Sequence, residues 1–226
     1  MLGGILVIAP FGKVWAPFIF QNHRQKDGPE MIGREFTLLC NVSIGVALAV
    51  SIAAPIVIPL LAGKAEYHEA ATSRLVPILC LALTFFGLAS ASEVGILIKK
   101  KTHLKPKLVI PAIIASLVLN VSLVPVLREY GAALATLAAY FVLFLTNFTV
   151  SRRFYRFRLE TGEMLCSFLG AGVIYGLFAT LYQVFPLAWK PLSAGVFLLF
   201  PAAVALRWRR RRVFGSPVEE VEEIRA

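Results

Sequence analysis

Apolar residues in this chain run on in long blocks, and the charged residues are held in short gaps between them. The blocks cover roughly 1–20, 36–62, 75–98, 108–127, 131–150, 164–185 and 187–206. A helix of about 20 apolar residues, rising ~1.5 Å per residue, crosses a hydrocarbon core of ~30 Å. Lipid offers the backbone no hydrogen-bond partner, so each block must satisfy its own peptide groups as a helix. The pattern therefore predicts an all-α integral membrane protein, a bundle of about seven transmembrane helices. Pro55 and Pro59 in the second block predict a kink or break there, of the kind that neighbouring helices absorb in a membrane. The first block lacks the basic start of a signal peptide and no small-residue cleavage site follows it, so it reads as a span.

Composition agrees with the blocks. Hydrophobic residues make up 58% of the chain and charged residues only 16%, too few to clothe a soluble domain of this size. The net charge of +10 raises the question of nucleic acid, and the placement of the charges answers it. Gaps 21–35, 99–107 and 151–163 and the tail 207–226 hold three, five, four and six Lys or Arg, whereas gaps 63–74, 128–130 and 183–190 hold two, one and one. Rich and poor gaps alternate, as seven consecutive crossings require when basic loops stay in the cytoplasm. The expected partner of this charge is thus a lipid bilayer, the cell (inner) membrane, and not nucleic acid. The same count puts the C-terminus in the cytoplasm and Met1 outside. An outside start suits the second half of a longer protein. In the tail, Arg207 and Arg209 to Arg212 belong at the anionic headgroups, and the following glutamates form a solvated end.

Candidate chemistry is sparse. His23, His68 and His103 all lie outside the blocks, no block holds a carboxylate pair, and there is no phosphate-binding glycine loop or nucleophile elbow. Cys40, Cys80 and Cys166 sit in three separate blocks with neither disulfide nor metal spacing, and read as packing residues. An enzyme, a metal site and a cofactor are not expected. Of 13 acidic residues only Glu93 lies inside a block, with Gly87 and Ser90 extending a small and polar stripe before it. One reading places Glu93 on an internal cavity as a substrate or proton site. The other has it snorkel to the interface and pair with Lys99 or Lys100. Lys13 is the other embedded charge, suited either to an anionic ligand or to snorkelling. Ser116 and Asn120 share one helical face; Thr136, Tyr140 and Asn147 share another. Such stripes either join helices or line a pathway. Gly172 and Gly176 form a G-x-x-x-G expected at a close helix contact.

Four short stretches occur in an informative order. Gly63-Lys-Ala-Glu-Tyr67-His-Glu-Ala70 leads into Leu75-Val-Pro-Ile-Leu79; Ile96-Leu-Ile-Lys99-Lys-Lys-Thr102 closes the next span; Leu119-Asn-Val-Ser-Leu-Val-Pro125 ends the one after; Tyr130-Gly-Ala-Ala-Leu-Ala-Thr136 follows. This order resembles the C-terminal half of Wzx-like polysaccharide flippases, a branch of the multidrug/oligosaccharidyl-lipid/polysaccharide exporter superfamily. The resemblance covers residues 1–158, and reaches the last two spans only by hydropathy. It implies a C-terminal transporter bundle over 1–158, two additional transmembrane helices over 159–206, a cytoplasmic tail over 207–226, and an N-terminal bundle missing from this chain. The implied function is flipping of a lipid-linked oligosaccharide for polysaccharide export. Lys13 would offset the charge of the head, Glu93 would couple flipping to an ion gradient, and Asn120, Thr136, Tyr140 and Asn147 are further transport candidates. Arg128 departs from the pattern, standing where a glycine is usual, which implies a different external turn. The alternatives are a multidrug or cation antiporter of the related branch and a non-transporting membrane scaffold. A membrane enzyme acting on lipid-linked sugars would need a large external loop, and the longest here, 63–74, is short.

Overall fold

A computed structural model describes residues 12, 14–62, 70–157 and 161–184, which are helical apart from short turns. Residues 14–22 form α1. It is followed by α2 (Gly28–Ala62), α3 (Ala70–Ala91), α4 (Val94–Ile98), α5 (Lys105–Leu127), α6 (Glu129–Phe154) and α7 (Thr161–Val184). Five segments are long and apolar enough to cross a membrane: Gly28–Pro55, Arg74–Ile98, Thr102–Leu127, Glu129–Phe154 and Thr161–Thr180. The described chain is an all-α membrane bundle. Most of the span expected at 1–20, the whole of that at 187–206, Lys13 and the basic–acidic tail lie outside the described residues.

Helix α2 starts eight residues before the block at 36, because its first turns are not a loop but part of the core. Ile32 and Phe36 are fully buried against Trp15 and Ile19, and Glu30 in the first turn complements the positive helix end. The helix then runs through Pro55 and Pro59 without interruption to Ala62.

Helix α6 occupies the centre, packed on α3, α4 and α5, while α2 packs on α3 and α7. A chain of aromatic rings ties these together: Phe168 of α7 stacks on Phe85 of α3, Phe85 meets Phe141 and Phe144 of α6, and Phe148 and Phe157 lead on to Phe36 of α2. Three basic turns meet at one end of the bundle. There Lys101 lies over the Phe154 ring at 4.6 Å and the Tyr155 hydroxyl reaches the His23 carbonyl at 3.5 Å. Burial pushes the Tyr155 phenol up from its ordinary value. Opposite in character is α5, an apolar helix turned outward: Leu117 is 66% exposed and Val121 69%. A helix that is apolar on its exposed face is covered by lipid or protein, not water.

The α5–α6 turn is sharp. Gly131 sits so close to α5 that a side-chain carbon there would strike the Leu123 carbonyl. Arg128 makes the turn at φ 49°, ψ −120°, a conformation natural to glycine and strained for arginine. Arg128→Gly is expected to stabilise the bundle by about 1 kcal/mol. Unfolding in mixed detergent–SDS micelles measures this, and a less stable variant would contradict the strain.

Candidate functional site

The apolar block at 75–98 is not one helix. Helix α3 ends at Ala91, Ser92 and Glu93 form a turn, and the chain resumes as α4. A break at membrane depth exposes peptide groups that lipid cannot satisfy, so protein must. It does so with side chains from distant parts of the chain. The Gly95 N–H, which an unbroken helix would direct to the Ala91 carbonyl, donates to Ser151 Oγ of α6 at 2.7 Å. The Ala91 carbonyl accepts from the Trp15 indole of α1 at 2.9 Å. The Ala89 carbonyl accepts from Ser92 Oγ at 2.8 Å and from Asn147 Nδ2 of α6 at 3.2 Å. Gly95 is required by proximity, since any side-chain carbon would collide with the Ser151 carbonyl oxygen. After α4, Lys100 turns back at φ 54°, and the N–H groups of Lys100 and Lys101 cap Leu97 and Ile96, each at 3.0 Å. Because this position favours glycine, Lys100→Gly is expected to add about 1 kcal/mol of stability, read in the same unfolding assay.

The break carries Glu93. Its Oε2 pairs with Lys105 Nζ from the first turn of α5 at 2.6 Å, and its Oε1 accepts from Asn147 Nδ2 at 3.3 Å. Glu93 is 19% exposed and Lys105 40%, so the carboxylate is the deeper partner. Both line a cavity of about 390 Å³ together with Trp15, Leu39, Gly87 and Ser90. Among the described residues no cluster of His, Cys, Asp and Glu can hold a metal ion. What the arrangement offers is a half-buried pair of opposite charges beside a space that a polar ligand can enter.

The sequence candidates fall apart into two groups. Glu93 and Asn147 come together at the break, and Gly87 and Ser90 line the same cavity. Asn120 turns its amide onto Ser116 of its own helix at 2.8 Å, and Thr136 bonds the Ala132 carbonyl at 2.9 Å. Tyr140 packs on Phe86, with ring centroids 5.1 Å apart. The partner of Glu93 is Lys105, not Lys99 or Lys100, because the chain turns at Lys100 and brings the start of α5 back over the break. Gly172 and Gly176 make no close contact among the described residues. Cys40 is buried in the core, whereas Cys166 is exposed. Lys13 lies outside the described residues, although Gly12 lines the cavity.

Sequence reasoning passed over Lys105, Trp15, Ser151 and Gly95. A signal existed for one of them: a glycine two residues after an embedded acid marks a place where a helix can break or another backbone can approach. Fold and site together define a multi-span helical membrane protein with a charged cavity at a broken helix. No protein-family model matches the chain, and no curated protein matches it.

Proposed function

We propose that this chain is a transporter bundle that flips a lipid-linked oligosaccharide from the cytoplasmic to the outer leaflet of the cell membrane. The observation that carries this reading is the Glu93–Lys105 pair beside the cavity at the α3–α4 break. Ionised groups inside a span cost several kcal/mol, and where a membrane protein keeps them beside a broken helix they mark a substrate or ion path. The cavity receives the sugar-diphosphate head while the lipid tail stays in the bilayer beside the apolar surface of α5. The basic turns, and with them the cavity, face the cytoplasm under the positive-inside rule. The sequence resemblance supplies the substrate class and a second, N-terminal bundle as partner; Lys13 adds a further cation for the head.

A cation antiporter is the second reading, and the pairing of Glu93 with Lys105 disfavours it, because the acid that would attract a cationic drug is already neutralised. The test is a flipping assay in proteoliposomes carrying a fluorescent lipid-diphosphate oligosaccharide, with the N-terminal bundle supplied. Glu93→Gln is expected to slow flipping about tenfold with expression unchanged; an unchanged rate rejects its coupling role. Lys13→Ala is expected to impair flipping and Lys13→Arg to spare it, and equal behaviour of the two counts against a charge role for Lys13.

A further inference from the structure

We propose that Lys105 is a guarded anion-binding residue: Glu93 holds its ammonium in reserve, and a phosphate or diphosphate group entering the cavity takes it over. The inference deepens the flipping reading and rests on it for the ligand class.

The two partners of the pair are held differently. Glu93 stands on the rigid side, at a break fastened by Trp15, Ser151 and Asn147. Asn147 is buried and grips the carboxylate through its other oxygen. Lys105 comes from another element, the first turn of α5, on a long flexible stem with its side chain 40% exposed. Of the two, the lysine is the one that can swing. Lys105 lines the cavity of about 390 Å³, where Trp15 supplies an aromatic wall, and Ser90, whose hydroxyl donates to the Phe86 carbonyl at 3.2 Å, lines it too. At ~30 Å³ for each liquid water, that space has room for a diphosphate and its remaining hydration. An ammonium binds phosphate as a point charge, without the fixed geometry arginine would need. Glu93 and the ligand thus compete for one cation, and this fixes the sign of every substitution. Removing the guard strengthens ligand binding. Removing the lysine abolishes it.

Trp15 in the cavity wall is the reporter, once Trp189 and Trp208 are changed to Phe. The full chain in detergent is titrated with inorganic pyrophosphate and with geranyl diphosphate, and Trp15 emission is followed. Wild type is expected to respond to both, Glu93→Gln to bind about tenfold more tightly, Lys105→Gln not to respond, and Lys105→Arg to retain binding. Glu93→Asp, which keeps the charge but shortens the reach, gives a smaller gain and serves if the Gln variant does not fold. Weaker or unchanged binding in both Glu93 variants overturns the guard, and undiminished binding in Lys105→Gln overturns the anion role. A response to geranyl diphosphate alone means that the tail, not the anion, is recognised, and also overturns it. If these signs hold while flipping fails, the flipping reading falls and the guarded lysine stands. If flipping proceeds with the signs reversed, the guard falls alone.

Discussion

Gly95→Ala is expected to destabilise the bundle by about 3 kcal/mol. The added carbon would meet the Ser151 carbonyl oxygen inside van der Waals contact, and would stand 3.0 Å from the Ser151 carbonyl carbon and 3.1 Å from its hydroxyl. Two of these atoms are backbone, so no side-chain rotation relieves the clash. Helix α4 must move away from α6, and the Gly95 N–H then loses the hydroxyl that satisfies it. An unpaired N–H in a dry interior costs about 1–3 kcal/mol beyond the steric strain. The retreat also carries Glu93 away from Asn147. Ser151→Ala separates the two contributions, because it removes the hydroxyl and leaves the fit. It should cost about 1–2 kcal/mol. Unfolding in mixed micelles measures both variants, and Gly95→Ala as stable as wild type would show that α4 and α6 do not approach this closely.

Asn147→Leu comes second, at about 2 kcal/mol. The residue is 4% exposed, and its one amide serves two acceptors at the break, the Ala89 carbonyl and the Glu93 carboxylate. Leucine fills the space but donates nothing, leaving Glu93, among the described residues, with Lys105 alone at a site lipid cannot solvate. Asn147→Asp should be worse than leucine, since it sets a second carboxylate against Glu93. Adding Glu93→Gln to Asn147→Asp relieves the repulsion and should recover most of the loss, an interaction that a double-mutant cycle reads directly. An Asn147→Asp variant as stable as Asn147→Leu would mean that the two side chains do not face each other.

The membrane bundle was legible in the sequence because lipid imposes a length on every apolar run, and five of the expected spans recur among the described residues with ends shifted by up to eight positions. The break was not. Ser92-Glu93 holds no proline or glycine, and Gly95 beyond it permits a break without requiring one, so local propensity would carry the helix through. What opens the helix lies far off in the chain: Trp15 is 76 residues from Ala91, Ser151 is 56 from Gly95, and Asn147 is 58 from Ala89. Lys105 was hidden in another way, as one of five basic residues in a gap where a membrane protein gathers such charge in any case. Periodicity grouped Asn147 with Thr136 and Tyr140, yet only Asn147 reaches the site. Small polar side chains that bond their own helix, as Thr136 and Asn120 do, look the same in sequence as those that cross to another.

A water-accessible cavity is expected at the α3–α4 break, set in a bundle whose outer surface faces lipid. Cysteine accessibility tests both parts at once. In a background with Cys40, Cys80 and Cys166 replaced, single cysteines are placed at Ser90, which lines the cavity, and at Leu117, which is 66% exposed on α5. Vesicles are then treated with a charged, membrane-impermeant maleimide from either side. Ser90→Cys should be labelled from the cytoplasmic side and Leu117→Cys from neither. Labelling of Leu117→Cys as fast as Ser90→Cys, or no labelling of Ser90→Cys from either side, would contradict the account.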